Sequence, residues 1–380
     1  MSTGKSLNVG LVGTRFMGRA HSHAFRDLPM FFDTELIPVL KAICGQDEEN
    51  ARRVAHRFGW ESIETDWRKL AAREDIDLID ISTPNDLHKD IALAAAAHGK
   101  HIFCEKPLAT NLADARQMLA AVKAAGIRHM VGFNYRFCPA VQLAKKLLSE
   151  NALGRLYHIR AQYRNDRLLD PDEPLRWRLQ RERAGAGALG DIGSHMVDLA
   201  RFLVGEFAEV TGLQETFVKK RPLSDGPPGS QGEVTVDDAT LFLARFTNGS
   251  IGTFETTRFA AGRKNYNAFE INGSEGSLRF CFERMNELEY FNRRDPVEVQ
   301  GFRTILVTQP SHKYLPSWWG SGHVLGYEHT FIHEVYELMR AIDGGYDPTP
   351  NFEDGVRCQE VLAAVELSVI ERRWVRLDEV

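Results

Sequence analysis

Asp191 and His195 stand four residues apart behind the glycine-rich run Gly185-Ala186-Gly187-Ala188-Leu189-Gly190. In a helix that spacing places both on one face. A carboxylate beside an imidazole fixes its tautomer and tunes it for base work. Asp198 follows one turn later. Three readings fit: a general base with its orienting carboxylate, a metal site of Asp191, His195 and Asp198, or a helix start with a satisfied histidine. No further Cys or His clusters with these residues in sequence, so no metal is expected. The second chemical stretch is His101-Ile102-Phe103-Cys104-Glu105-Lys106-Pro107. Proline disfavours helix at the residue before it, which places Lys106 in extended backbone just past a strand end. Ligands of open α/β sheets bind outside the carboxyl ends of strands. A lysine there can hold a point charge over a reacting oxygen. The plain alternative is a surface lysine in a turn.

The elements around these residues fit the chemistry. Leu7 to Val12 reads as a buried strand, and Gly13-Thr14-Arg15-Phe16-Met17-Gly18 leads into a helix. Strand, glycine turn and helix form the dinucleotide fingerprint, in which the helix N-terminus receives a pyrophosphate. Gly13 supplies the turn and Gly18 the close helix packing. Arg15 replaces the usual second glycine and can lay its guanidinium along a phosphate. A second strand, Leu36 to Ile43, ends in Cys44-Gly45-Gln46-Asp47, so the usual ribose carboxylate is missing or displaced to Asp47. That leans to NAD without excluding NADP.

Helix and strand keep alternating through Phe133, which implies a doubly wound parallel sheet. After that the pattern changes. Leu156–Tyr163, 209–217, 239–246, 250–257, 268–272 and 277–282 read as strands, with a hairpin signal at Thr247-Asn248-Gly249-Ser250. We therefore expect an α/β chain: a Rossmann domain over 1–133, then an α+β domain over 134–380 with a large, mostly antiparallel open sheet. Helices near 191–204, 330–341 and 355–372 should cover one sheet face. An apolar open face favours a homo-oligomer, a dimer or tetramer. Segments 218–236 and 296–326 read as irregular loops. His21-Ser22-His23 reads as packing, and His329, His333 and Glu334 as a partly exposed helix face.

Composition narrows the classes. The chain has 380 residues, 43% hydrophobic and 26% charged, with a net charge of -5. This is a globular balance with no basic footprint for nucleic acid. No apolar run reaches the roughly 20 residues of a membrane helix, and Leu7–Val12 is too short for a signal core. The five cysteines are scattered and never spaced as Cys-x-x-Cys, which fits a reduced, cytoplasmic setting.

Together, Gly13–Gly18, Thr83-Pro84-Asn85-Asp86-Leu87-His88, Glu105-Lys106-Pro107 and Asp191-x-x-x-His195 resemble the Gfo/Idh/MocA oxidoreductase family, in order and spacing over nearly the whole chain. The chain looks closest to the sugar and cyclitol dehydrogenases of that family. The resemblance implies NAD(P)-dependent oxidation of a secondary ring hydroxyl, C3 in a pyranose, on a pyranose, an anhydrosugar such as levoglucosan, or a cyclitol. It implies catalytic roles for Lys106, Asp191 and His195, with His195 the base. The cofactor would meet Gly13, Arg15, Phe16, Met17, Gly18, Gly45, Ser82, Thr83, Pro84, Asn85, His88, Glu105, Lys106, Trp177 and Arg178. The sugar would meet Lys106, Tyr135, Asn165, Asp166, Asp191 and His195. Two rivals stand beside this: NAD-assisted glycoside cleavage, and a non-catalytic cofactor-binding regulator.

Overall fold

The computed structural model describes residues 4–380, in two compact units. The first comprises the chain up to Phe137 together with Gly326–Arg357. The second comprises Cys138–Leu325 and Cys358–Val380.

In the first unit, strands β1 (Lys5–Val12), β2 (Leu36–Cys44), β3 (Ser62–Glu64), β4 (Leu78–Ile81), β5 (His101–Glu105) and β6 (His129–Gly132) form one parallel sheet in the order β3-β2-β1-β4-β5-β6. This is the strand order of dinucleotide-binding sheets. Strand β3 was absent from the sequence reading. At three half-buried residues it is too short to show a period. Helices α1 (Phe16–Phe31), α2 (Glu48–Phe58), α3 (Trp67–Ala72), α4 (His88–Ala97) and α5 (Leu112–Ala125) connect the strands. The strand ends are in register: Val12 pairs with Cys44 and Ile81, and Ile81 with Cys104. Gly13, Gly45, Ser82 and Lys106 therefore all leave the sheet at the same carboxyl edge.

In the second unit, α6 (Pro139–Ser149), α7 (Arg181–Ala184) and α8 (Ser194–Leu203) accompany β7 (Leu156–Arg164), β8 (Phe207–Glu215), β9 (Lys220–Pro222), β10 (Gln231–Glu233), β11 (Ala239–Phe246), β12 (Ile251–Thr257), β13 (Tyr266–Gly273), β14 (Gly276–Cys281), β15 (Glu287–Asn292), β16 (Arg303–Leu306) and β17 (Val375–Arg376). Nine of these strands make one sheet, β16-β15-β14-β13-β7-β12-β11-β8-β17, antiparallel except where β7 meets β12. The Asn248-Gly249 turn joins β11 to β12 as expected. The two segments expected to be irregular are partly ordered: 218–236 folds as the β9–β10 hairpin, and 296–326 contains β16.

Helix α9 (Tyr327–Gly344) departs from the expected boundary at 133/134. Instead of covering the second sheet, it packs on α1 in the first unit. Phe331 lies 5.6 Å from the His21 ring, and Phe32 lies 5.8 Å from His333 and 4.5 Å from Tyr336. His333 and Glu334 are consequently buried, which corrects the reading of an exposed face. The apolar stripe of α9 is wide enough to bring both into the contact. His333 Nδ1 donates to the Phe137 carbonyl at 2.9 Å. Helix α10 (Phe352–Glu371) then starts in the first unit and ends in the second.

Candidate active site

The first unit carries the dinucleotide turn, Lys106 and Tyr135. Gly13 adopts φ +131, and a Cβ on Gly18 would fall 1.9 Å from the Gly13 carbonyl oxygen. No side chain fits there, so the turn brings α1 against β1 as the fingerprint requires. Helix α1 has no acidic residue in its first turn, and no side chain among the described residues caps it at Arg15. Its leading N–H groups and positive dipole end suit a pyrophosphate. Arg15 and Phe16 are exposed beside them, and Phe16 stacks near Tyr327 at 6.4 Å. At the end of β2, Gly45 packs against Thr14. Asp47, the displaced carboxylate, accepts the Asn50 N–H at 3.0 Å and caps α2. Asn50 in turn donates to the Thr14 hydroxyl at 2.7 Å. The residues present thus fit a dinucleotide.

Ser82, Thr83, Pro84 and Asn85 form the half-buried turn after β4. His88 is fully buried and works from beneath. Its ring nitrogens lie 3.1 Å from the Thr83 carbonyl and 3.1 Å from the Pro107 carbonyl, tying this turn to the one after Lys106. Burial pulls its pKa below the usual histidine value. Lys106 follows directly on β5, at the sheet's carboxyl edge, and its N–H donates to Glu105 Oε2 at 3.1 Å. Tyr135 lies in the buried turn Asn134–Phe137.

His21 is more than packing. Its Nδ1 is 2.8 Å from Asp80 Oδ2 and its Nε2 is 3.1 Å from Glu105 Oε1, with all three side chains buried. Burial alone depresses the ring, but the two carboxylates outweigh that and lift its pKa to about 10. Burial pushes Asp80 upward against the pull of His21. An imidazole held protonated adds stability that is complete below its unfolded value of 6.5, declines above it and is gone beyond about 10.

The second unit carries Asp191 and His195. Asp191 sits in a single π-helical turn, Leu189–Gly193, and His195 in the first turn of α8. Such π turns recur at functional sites. His195 is buried, its ring 5.9 Å from Tyr163. Two residues that the sequence reading missed hold this segment. Asp237 accepts the N–H groups of Gly187 at 2.7 Å and Leu189 at 2.8 Å, and its carbonyl accepts that of Ala188 at 3.0 Å. A Cβ on Gly187 would lie 1.8 Å from the Asp237 carbonyl oxygen, so only glycine passes. Buried Arg258 donates to that same carbonyl at 3.0 Å and places its other amino group 4.0 Å from Asp191 Oδ2. Asp237 and Arg258 lie too far along the chain for any spacing rule to link them to Asp191.

Asn165 is buried and its side chain accepts the Arg167 N–H at 3.2 Å. Lys264, at 2.6 Å, holds the Asp166 carboxyl below the usual range. Trp177 is half-buried, with the Arg178 guanidinium 4.3 Å over its ring. Lys106 and Tyr135 thus belong to the first unit, and Asn165, Asp166, Trp177, Arg178, Asp191 and His195 to the second.

Comparison with known proteins matches the chain to two family models. Residues 7–133 match the oxidoreductase family with an NAD-binding Rossmann fold, and residues 141–279 match the GFO/IDH/MocA C-terminal domain. Levoglucosan dehydrogenase of Pseudarthrobacter phenanthrenivorans is 43% identical over 99% of both chains. A crystal structure of an oxidoreductase domain protein from Kribbella flavida superimposes with TM-score 0.95 at 51% identity, covering 98% of this chain and 99% of that one. Levoglucosan dehydrogenase in complex with NADH and levoglucosan does so with TM-score 0.95 at 45% identity, with the same coverage. These two family matches and the full-length similarity to levoglucosan dehydrogenase show that the chain belongs to the GFO/IDH/MocA family of NAD-dependent oxidoreductases.

Proposed function

We propose that the chain oxidises a secondary ring hydroxyl of a levoglucosan-like sugar, an anhydrosugar, pyranose or cyclitol, with C3 of a pyranose ring the preferred position. The observation that supports this most is the match along the full length to levoglucosan dehydrogenase. NAD, held by the Gly13–Gly18 turn and the α1 N-terminus, supplies the hydride acceptor. His195 takes the hydroxyl proton as the carbon gives up its hydride, leaving a ketone. Asp191 orients the imidazole and stabilises its charged form. Lys106 steadies the developing alkoxide charge, where preorganised electrostatics contribute most. Tyr135, Asn165 and Asp166 line the sugar subsite, and Trp177 and Arg178 the nicotinamide half.

The test is a screen for NADH formation across levoglucosan, L-sorbose, myo-inositol and simple pyranoses, with NAD and NADP side by side. We expect NAD reduction by at least one anhydrosugar or pyranose. No reduction of either cofactor by any polyol would overturn the proposal. Release of an aglycone without net NADH would mark transient oxidation during glycoside cleavage instead.

The same reading includes a homo-oligomer, dimer or tetramer, working in a reducing cytoplasm. Leu213, Leu241, Leu243 and Ile251 are exposed on the nine-stranded sheet, and an exposed apolar face suits a partner subunit. Light scattering should give a mass of two or four chains at micromolar concentration, and a monomer there excludes the oligomer.

A further inference from the structure

We propose that His21 is a positioning residue for Lys106: a buried imidazolium locked between Asp80 and Glu105 that fixes the Glu105 carboxylate and, through it, the Lys106 peptide. The proposal rests on the reading of Lys106 as the residue that faces the reacting oxygen.

The geometry favours the charge. Both oxygens of Asp80 lie close to one ring nitrogen, at 2.8 and 3.0 Å from Nδ1, while Glu105 Oε1 lies 3.1 Å from Nε2. A carboxylate only accepts, and a neutral imidazole carries a single N–H. Donating at both nitrogens takes the doubly protonated ring, and at His21 both acceptors are carboxylates that stabilise the added charge, whereas the two nitrogens of His88 face neutral carbonyls. The environment suits a cation further. The ring stacks on Phe103 with centroids 4.8 Å apart, and Phe331 of α9 lies tilted at 5.6 Å. Aromatic faces attract a desolvated positive charge.

The connections run outward from this ring. Glu105 is engaged at both oxygens, one by His21 and the other by the Lys106 N–H at 3.1 Å. The Ser82 hydroxyl donates to Asp80 Oδ1 at 3.2 Å, so the turn after β4 joins the same network. His21 itself lies on α1, the helix whose N-terminus forms the dinucleotide turn. One imidazolium therefore couples the cofactor helix, the Ser82 turn and Lys106. The other titratable groups around the pair are Cys104 on β5, a thiol pushed well up by burial, and His88 on α4, pulled down by burial. Burial moves both away from their charged forms, so neither supplies the charge assigned to His21.

Two measurements test this. In ¹⁵N-histidine-labelled wild-type enzyme, one imidazolium with both nitrogens protonated should persist at pH 8 to 9, where ordinary histidines are neutral. Absence of any imidazolium at pH 8 overturns the proposal, and this readout needs neither sugar turnover nor a variant. His21→Gln offers amide protons to only one carboxylate at a time, so Asp80 or Glu105 must take up a proton. We expect kcat to fall about 10–100-fold, with the Kd for NADH within about threefold of wild type. The pH profile of kcat should gain an ionisation that wild type lacks. Unchanged kcat, or a joint loss of kcat, NADH affinity and Tm with no new ionisation, reduces His21 to a structural residue and overturns the proposal. A wild type that oxidises no polyol defeats the dehydrogenase reading instead, and leaves the imidazolium signal as a separate result.

Discussion

Replacing His195 by alanine should cut turnover by about 10²–10⁴-fold, the usual contribution of a positioned general base, while NAD binding persists. The two effects separate because His195 belongs to α8 in the second unit, whereas the dinucleotide turn belongs to the first. The loop that delivers α8 is gripped by Asp237 through three backbone N–H groups and does not depend on the His195 side chain. The variant should therefore fold with α8 in place and lack only the proton acceptor. Steady-state turnover and titration of NADH by fluorescence check this. Unchanged turnover would remove His195 from the mechanism.

Lys106→Ala should lower kcat by about 10²–10³-fold, the scale seen when one preorganised group facing an oxyanion is removed. The backbone around it should hold. Glu105 keeps its contact to His21, and His88 keeps the turn that follows. The loss should fall on kcat more than on KM, since the alkoxide charge exists mainly in the transition state. A variant with normal kcat and a raised Kd for NADH would make Lys106 a cofactor ligand and shift the charge-stabilising role elsewhere.

What the sequence made legible was whatever depends on local pattern. Gly13, Gly18 and the strand before them announce the turn, because each glycine answers a local steric demand. Lys106 after an apolar run and before Pro107 places itself at a strand end. The spacing of Asp191 and His195 marks a helix start. What stayed hidden depends on residues far apart in the chain. His21 looks like core packing until Asp80 and Glu105, 59 and 84 residues away, close on its two nitrogens. Asp237 lies about 50 residues beyond the loop it holds. The boundary at 133/134 tracked the end of the alternating helices and strands. It could not foresee α9, because a helix's apolar stripe does not name its partner.

The return of Gly326–Arg357 to the first unit also has a consequence for how the protein is made. Synthesis runs from the N-terminus, and domains ordinarily fold as they emerge. Here the strands and helices of the cofactor unit leave the ribosome early, yet Phe331, which covers His21, and Phe352, whose N–H donates to His129 at the start of β6, come after almost the whole second unit. The unit begun first is thus completed only after nearly all of the second has emerged. A gene cut after residue 133 would yield a nascent sheet with the apolar side of α1 bare. An independent cofactor module would have to be built by splicing Gly326–Arg357 back onto it.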